Sequence, residues 1–194
     1  HNSSESPAIV SAQRWHGRFY RKERMSHFKS QDTVRIAVMS DMHIAGPTHP
    51  DSADRLERLM RAMDSVNASS PDLVLVPGDM TEDGREEELK TAMEMLRCLL
   101  PPVRCVPGNH DIGDKILPGR PGVTPDRIRS YETVVGPASF VEEVAGLWLI
   151  AVNAPVLGSG LPEERKQWTD LEAALTGSAA WPTVIMLHYP PFIS

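Results

Sequence analysis

Apolar and polar positions along this chain alternate in blocks that switch between a period of two and a period near 3.6. Val34-Arg35-Ile36-Ala37-Val38-Met39 predicts a strand, and Leu56, Leu59, Met60 and Met63 then recur at helical spacing. The run Leu73-Val74-Leu75-Val76, bounded by Pro71 and Pro77, predicts a second strand. Leu89, Ala92, Met93, Leu96 and Leu99 mark a second helix, and Val103-Arg104-Cys105-Val106 a third strand. Residues 112–126 break the pattern with Gly113, Pro118, Gly119, Pro121, Gly122 and Pro125, which reads as a long loop. Beyond it come a short helix over Ile128–Val135 and a hairpin pairing Ser139–Val144 with Leu147–Val152 across Ala145-Gly146. A helix over Pro162–Leu175 carries Trp168, Leu171 and Leu175 on one face, and Thr183–Leu187 is a buried strand. Strands alternating with helices imply βαβ units, hence an α/β fold with a largely parallel sheet and right-handed crossovers.

Composition narrows this picture only a little. The 194 residues suffice for one domain with a real core, and 41% apolar and 24% charged content is ordinary for a globular protein. Residues 1–30 stand apart, with six Lys/Arg against two acids, while the whole chain carries −6. They read as a basic arm outside a domain spanning 31–194. The acidic body argues against a nucleic-acid partner, since phosphate backbones reward clustered Lys/Arg. No stretch reaches the roughly 18 apolar residues of a membrane span, so no membrane partner is expected. Cys98 and Cys105 are too few to staple a fold of this size and lack metal-ligand spacing, which predicts a reducing, cytoplasmic setting.

The chemistry lies in four short blocks: Asp41-Met42-His43, Gly78-Asp79, Gly108-Asn109-His110-Asp111 and His188-Tyr189-Pro190-Pro191. Three of them end a short apolar run, where open α/β sheets place their ligand-binding loops. Their donors are carboxylate and amide oxygens and imidazole nitrogens without thiolate, which suits Mn, Fe, Zn or Mg. If Asp41 and His43 continue a strand, their side chains point to one side and can reach one cation. Gly78 permits a tight turn before Asp79, whose two oxygens can bridge two cations. Any block alone is an ordinary turn or strand end. Together, in this order at successive strand ends, they point to a water activated by metal and attacking phosphorus. Arg120 in the long loop and Asn153 after a strand are further candidates for the pocket; Asn153 serves equally well as a strand terminator.

These blocks resemble the calcineurin-like metallophosphoesterases, whose pattern runs Asp-x-His, Gly-Asp, Gly-Asn-His-Asp/Glu, a lone His and a final Gly-His-x-His. The stretch 71–79 with Asp83-Gly84 behind it, Gln167-Trp168, and the His-x-Pro-Pro at 188–191 are similar to the class III cyclic-nucleotide phosphodiesterase branch. The resemblance implies a four-layer sandwich, two mixed sheets flanked by helices. It implies two divalent cations (Mn, Fe or Zn), with Asp41 and His43 on the first, Asp79 bridging, and Asn109 and His188 on the second. His110 would contact the phosphate and protonate the leaving oxygen, with Asp111 orienting it. The implied activity is a phosphodiesterase acting through a water activated between the two metals, on a small phosphoester or nucleotide. A non-catalytic interaction module on the same fold and a metal-dependent nuclease are the alternatives. Two departures stand out. The sequence ends at Ser194 with no Gly-His-x-His, which implies a domain truncated at its C-terminus and lacking one ligand per metal. Tyr189 occupies a position where the related phosphodiesterases often carry a second His.

Overall fold

A computed structural model describes residues 33–115, 122–177 and 182–189. The basic arm at 1–30 and Arg120 lie outside them. The elements are β1 (Ile36–Val38), α1 (Ser52–Ser69), β2 (Leu73–Pro77), α2 (Glu86–Leu96), β3 (Val103–Val106), α3 (Asn109–Ile112), α4 (Pro125–Val134), β4 (Phe140–Val144), β5 (Leu147–Ala151), α5 (Pro162–Gly177) and β6 (Thr183–Met186). They form two three-stranded sheets, ordered β1-β2-β3 and β4-β5-β6. The first is parallel across its described strands, with Ile36 opposite Leu73 and Val74 opposite Val103. The second is mixed: β4 and β5 are antiparallel, and β6 joins β5 in parallel.

Strand alternation explains how the layers stack. In β2, Val74 and Val76 face α1, α2 and α4, in a core that includes Leu59, Met63, Leu89, Leu96 and Tyr131. Leu73 and Leu75 face the other way, into a core shared with Leu149, Ala151 and Met186 of the second sheet. In β5, Ile150 turns outward against Ala174 and Leu171 of α5. The order is therefore helices, sheet, sheet, helix. A strand buried on both faces needs an unbroken apolar run, which is why β2 is legible as Leu-Val-Leu-Val. Between the sheets, Arg104 of β3 forms a two-pronged ion pair with Glu142 of β4. No helix among the described residues is long and apolar enough to cross a membrane.

Local chemistry sets several ends. The hairpin turn Ala145-Gly146 has φ of 53° and 75°, the two left-handed residues that match the twist of a two-residue connection. Thr124 caps α4, its hydroxyl accepting from the Arg127 N–H, and Pro125 follows at the first helical position. Arg35 donates to the carbonyls of Ser69 and Ser70 at the C-terminus of α1.

Two helix faces differ from expectation. Met60 is exposed, and α1 turns Leu59 and Met63 inward. In α5, Trp168 and Leu175 are 45% and 47% exposed, while Gln167 and Ala174 are buried. A polar residue can take the inner face because the Gln167 amide is satisfied there. It accepts from the Asn153 N–H at 2.8 Å and donates to the Asn153 carbonyl at 3.1 Å. Of the two readings open for Asn153, its backbone fits the terminator: Gln167 holds it just past β5. Its buried side-chain oxygen makes no hydrogen bond.

Candidate metal centre

The loops leaving β1 and β2 run side by side beyond the sheet. The Asp41 N–H donates to the Gly78 carbonyl, His43 N–H to the Asp79 carbonyl at 3.0 Å, and Ile44 N–H to the Met80 carbonyl at 2.9 Å. Within this ladder Asp41, His43 and Asp79 have φ of 58°, 45° and 50°. Left-handed backbone is uncommon outside glycine, costs about 1–2 kcal/mol per residue, and collects at functional sites. Asp41 and His43 therefore do not continue the strand, and the extended geometry expected for them is replaced by two turns. Each side chain meets a different set of partners. Asp41, Asp79 and His188 bring one donor atom each within 4.8 Å of one another, as do His43, Asp79 and His110. Asp79 belongs to both triads.

Two glycines make room for this carboxylate. A Cβ on Gly108 would lie 2.1 Å from Asp79 Oδ1 and 2.5 Å from its backbone nitrogen. A Cβ on Gly78, whose φ is +99°, would lie 2.6 Å from the Gly108 nitrogen and 2.8 Å from His188 Nδ1. The Gly-Asp and Gly-Asn-His blocks thus pack backbone against backbone, with Asp79 at the contact.

Asp79 is buried, with His188 Nε2 at 3.4 Å and His43 Nε2 at 3.7 Å from Oδ2. The His110 N–H donates to Oδ1 at 3.0 Å. Burial opposes its ionisation, but His188 and the His110 N–H outweigh that and hold its carboxyl below the usual range. Burial likewise disfavours a charged His188, yet Asp79 raises it above the ordinary imidazole value. His188 Nδ1 lies 2.9 Å from the Pro77 carbonyl, which can only accept, so the proton sits there and Nε2 is turned to Asp79 and to Asn109 Oδ1 at 3.2 Å. The same logic applies to His110: Nδ1 donates to the Glu82 carbonyl at 2.7 Å and leaves Nε2 free to act.

The orientation of His110 expected from Asp111 comes from Glu82. The Asp111 carboxylate acts one step back, on backbone. It accepts from the N–H groups of Met80, Thr81 and Gly108 and from the Thr81 hydroxyl at 2.8 Å, tying the β2 loop to the start of α3. Burial pushes its carboxyl up, against these donors. Glu88 does similar work: buried in α2, it accepts from the N–H groups of Gly46, Asp83 and Arg85 and ties both ligand loops to the helix. Tyr189 donates to Asp114 at 2.8 Å and carries the Lys115 ammonium 5.1 Å above its ring.

Sequence reading missed Glu82 and Arg55. Arg55 of α1 donates to the His43 carbonyl at 2.9 Å and to the Glu82 carboxylate. Burial opposes ionisation of Glu82, but Arg55 holds its carboxyl below the usual range. Nothing local marks either residue in a chain this rich in charged helices. An open groove of about 670 Å³ starts at Asp41 and His43 and runs between β1 and α1 past Val38, Arg58 and Ala62.

The donors present suit a hard or borderline divalent cation. They are the carboxylates and imidazoles of two triads that share Asp79, with the Asn109 amide oxygen beside His188. His43 Nδ1 is buried 3.3 Å from Glu82 Oε2 without a hydrogen bond, while its Nε2, 3.7 Å from Asp79 Oδ2, is the nitrogen turned toward the shared carboxylate.

Comparison with known proteins agrees with this chemistry. The calcineurin-like phosphoesterase family matches residues 34–192. A probable cyclic nucleotide phosphodiesterase of Synechococcus sp. is 27% identical over 175 residues, 83% of this chain and 60% of that protein. A probable glycerophosphodiester phosphodiesterase GpdQ of Arcobacter nitrofigilis is 27% identical over 80% of this chain and 57% of its own length. A probable cyclic nucleotide phosphodiesterase of Coxiella burnetii is 30% identical over 104 residues, 52% of this chain and 42% of that one. The chain thus spans between 42% and 60% of the length of these relatives.

Proposed function

The chain belongs to the calcineurin-like phosphoesterase family, and we propose that its site hydrolyses small phosphodiesters with the help of two divalent cations. The observation that carries this reading is Asp79, one buried carboxylate shared by two donor triads at the sheet's rim. In this reading Asp41, His43, Asp79, Asn109 and His188 would hold the cations, with Asp79 within reach of both. When bound, Mn, Fe or Zn would supply a water of lowered pKa and positive charge against the phosphoryl oxygens. With Nδ1–H committed to the Glu82 carbonyl, the doubly protonated His110 ring would give its Nε2 proton to the leaving oxygen and keep the Nδ1 proton. Asp111 keeps the two loops in register. The relatives' names suggest cyclic nucleotides or glycerophosphodiesters as substrates, and the groove beside Asp41 offers the leaving group space. The two free cysteines suit a reducing, cytoplasmic setting.

The test is Mn²⁺-dependent hydrolysis of bis(p-nitrophenyl) phosphate by the 194-residue chain beside its Asp79→Ala variant. Turnover that disappears in the variant supports the reading; turnover that survives removes Asp79 from its shared position. His110→Ala should keep the metals and slow hydrolysis by about 10²- to 10⁴-fold. Loss of metal from that variant would make His110 a ligand.

A further inference from the structure

Arg55 and Glu82 meet beside the site, on elements that the chain separates by 27 residues. Both are sheltered, with side chains 19% and 25% exposed. Between them they touch both imidazoles of one triad. Arg55 Nη1 donates to the His43 carbonyl at 2.9 Å, at a residue whose φ of 45° needs holding. Glu82 Oε2 lies 3.3 Å from His43 Nδ1, and the Glu82 carbonyl accepts from His110 Nδ1 at 2.7 Å. The Glu82 N–H donates in turn to the Ile44 carbonyl, which fixes the loop against the strand of backbone carrying His43. The two rings stand edge to face, centroids 4.6 Å apart.

We propose that the Arg55–Glu82 pair is a positioning device that sets His43 and His110 against each other, so that a metal ligand and a proton donor are held in one register. The inference rests on the metal-dependent reading above. Its physical basis is the second imidazole nitrogen. A carboxylate 3.3 Å from Nδ1 favours the tautomer with the proton on that nitrogen, which turns the Nε2 lone pair toward Asp79 and makes the ring a stronger ligand. Arg55 holds that carboxylate in place. The same loop sets His110 through its backbone, so a shift of Glu82 moves both rings.

The experiment compares wild type, Glu82→Gln and Glu82→Asp. One measurement is long-range ¹H–¹⁵N NMR of the imidazoles in the metal-free proteins. The other is Mn²⁺ titration followed by electron paramagnetic resonance. The expected result is that Glu82→Gln shifts the ring signals of both His43 and His110 and weakens one of the two Mn²⁺ sites by about 10- to 100-fold. The second site and the melting temperature of the metal-free protein should stay near wild type, and Glu82→Asp should recover part of the loss. Unchanged ring signals in Glu82→Gln would overturn the proposal. So would equal weakening of both sites together with a lowered melting temperature, which is what a merely structural residue would give. A wild-type chain that takes up no Mn²⁺ while Glu82→Gln still shifts both rings would sink the metal reading and leave the positioning intact.

Discussion

Left-handed backbone recurs at several turns among the described residues, and two of them make a contrast: the β4–β5 hairpin and the rim beyond β1 and β2. At the hairpin, Ala145 and Gly146 have φ of 53° and 75°, and a Cβ on Gly146 would meet nothing within 4 Å. At the rim, Asp41, His43, Gly78 and Asp79 have φ between 45° and 99°, and a Cβ on Gly78 would strike Gly108 and His188. The hairpin uses the conformation to reverse direction. The rim uses it to gather carboxylates and imidazoles around buried Asp79, held by neighbours from other loops. Positive φ alone therefore marks a turn. Positive φ locked by close packing around a buried carboxylate marks a site.

The contrast can be broken most strongly at Asp111. Asp111→Ala would strand the buried N–H groups of Met80, Thr81 and Gly108, at about 1–3 kcal/mol each, and should cost about 3–5 kcal/mol in urea unfolding. A loss below about 1 kcal/mol would mean that water can replace this carboxylate. Next comes Gly108→Ala, whose methyl group must displace Asp79. About 3 kcal/mol of stability should go, and Mn²⁺ binding measured by calorimetry should go with it. Gly146→Ala, the matching change at the hairpin, should cost only about 1 kcal/mol and leave Mn²⁺ binding untouched. Equal effects on metal binding from these two glycines would dissolve the distinction.

The smallest effect lies at Glu164 of α5, where the N–H groups of Gly158 and Gly160 donate to its carboxylate at 2.6 and 2.7 Å. These bonds hold its carboxyl below the usual range. A carboxyl depressed in the folded state stabilises above its unfolded value and loses that contribution as pH falls through the folded one. Glu164→Gln should therefore destabilise slightly at pH 7, and the difference should shrink below about pH 4. A difference that does not change with pH would assign the effect to shape rather than charge.

Much of this was legible in advance, and for local reasons. The apolar run of β2, the two-residue hairpin and the strand ends carrying Asp41, Asp79 and His188 are written in neighbouring residues. The face of α5 was misread because Gln167 is polar, and only its fit to the Asn153 backbone permits it inside. Glu82, Arg55 and Glu88 were invisible because each acts on groups from other elements. Asp111 was visible as part of a motif, but its work on backbone N–H groups some 30 residues away was not.

Periodicity, Gly and Pro act over a few residues, so most elements, and the donors at their ends, can be read along the chain, the short helix α3 excepted. Which atoms meet was decided only by tertiary structure. His188 ends a strand of the second sheet, yet it reaches Pro77 and Asn109, which lie 111 and 79 residues earlier. The meeting requires two sheets packed face to face through Leu73, Leu75 and Leu149. The left-handed turns at Asp41, His43 and Asp79 likewise persist because surrounding contacts hold a backbone that the residues alone disfavour.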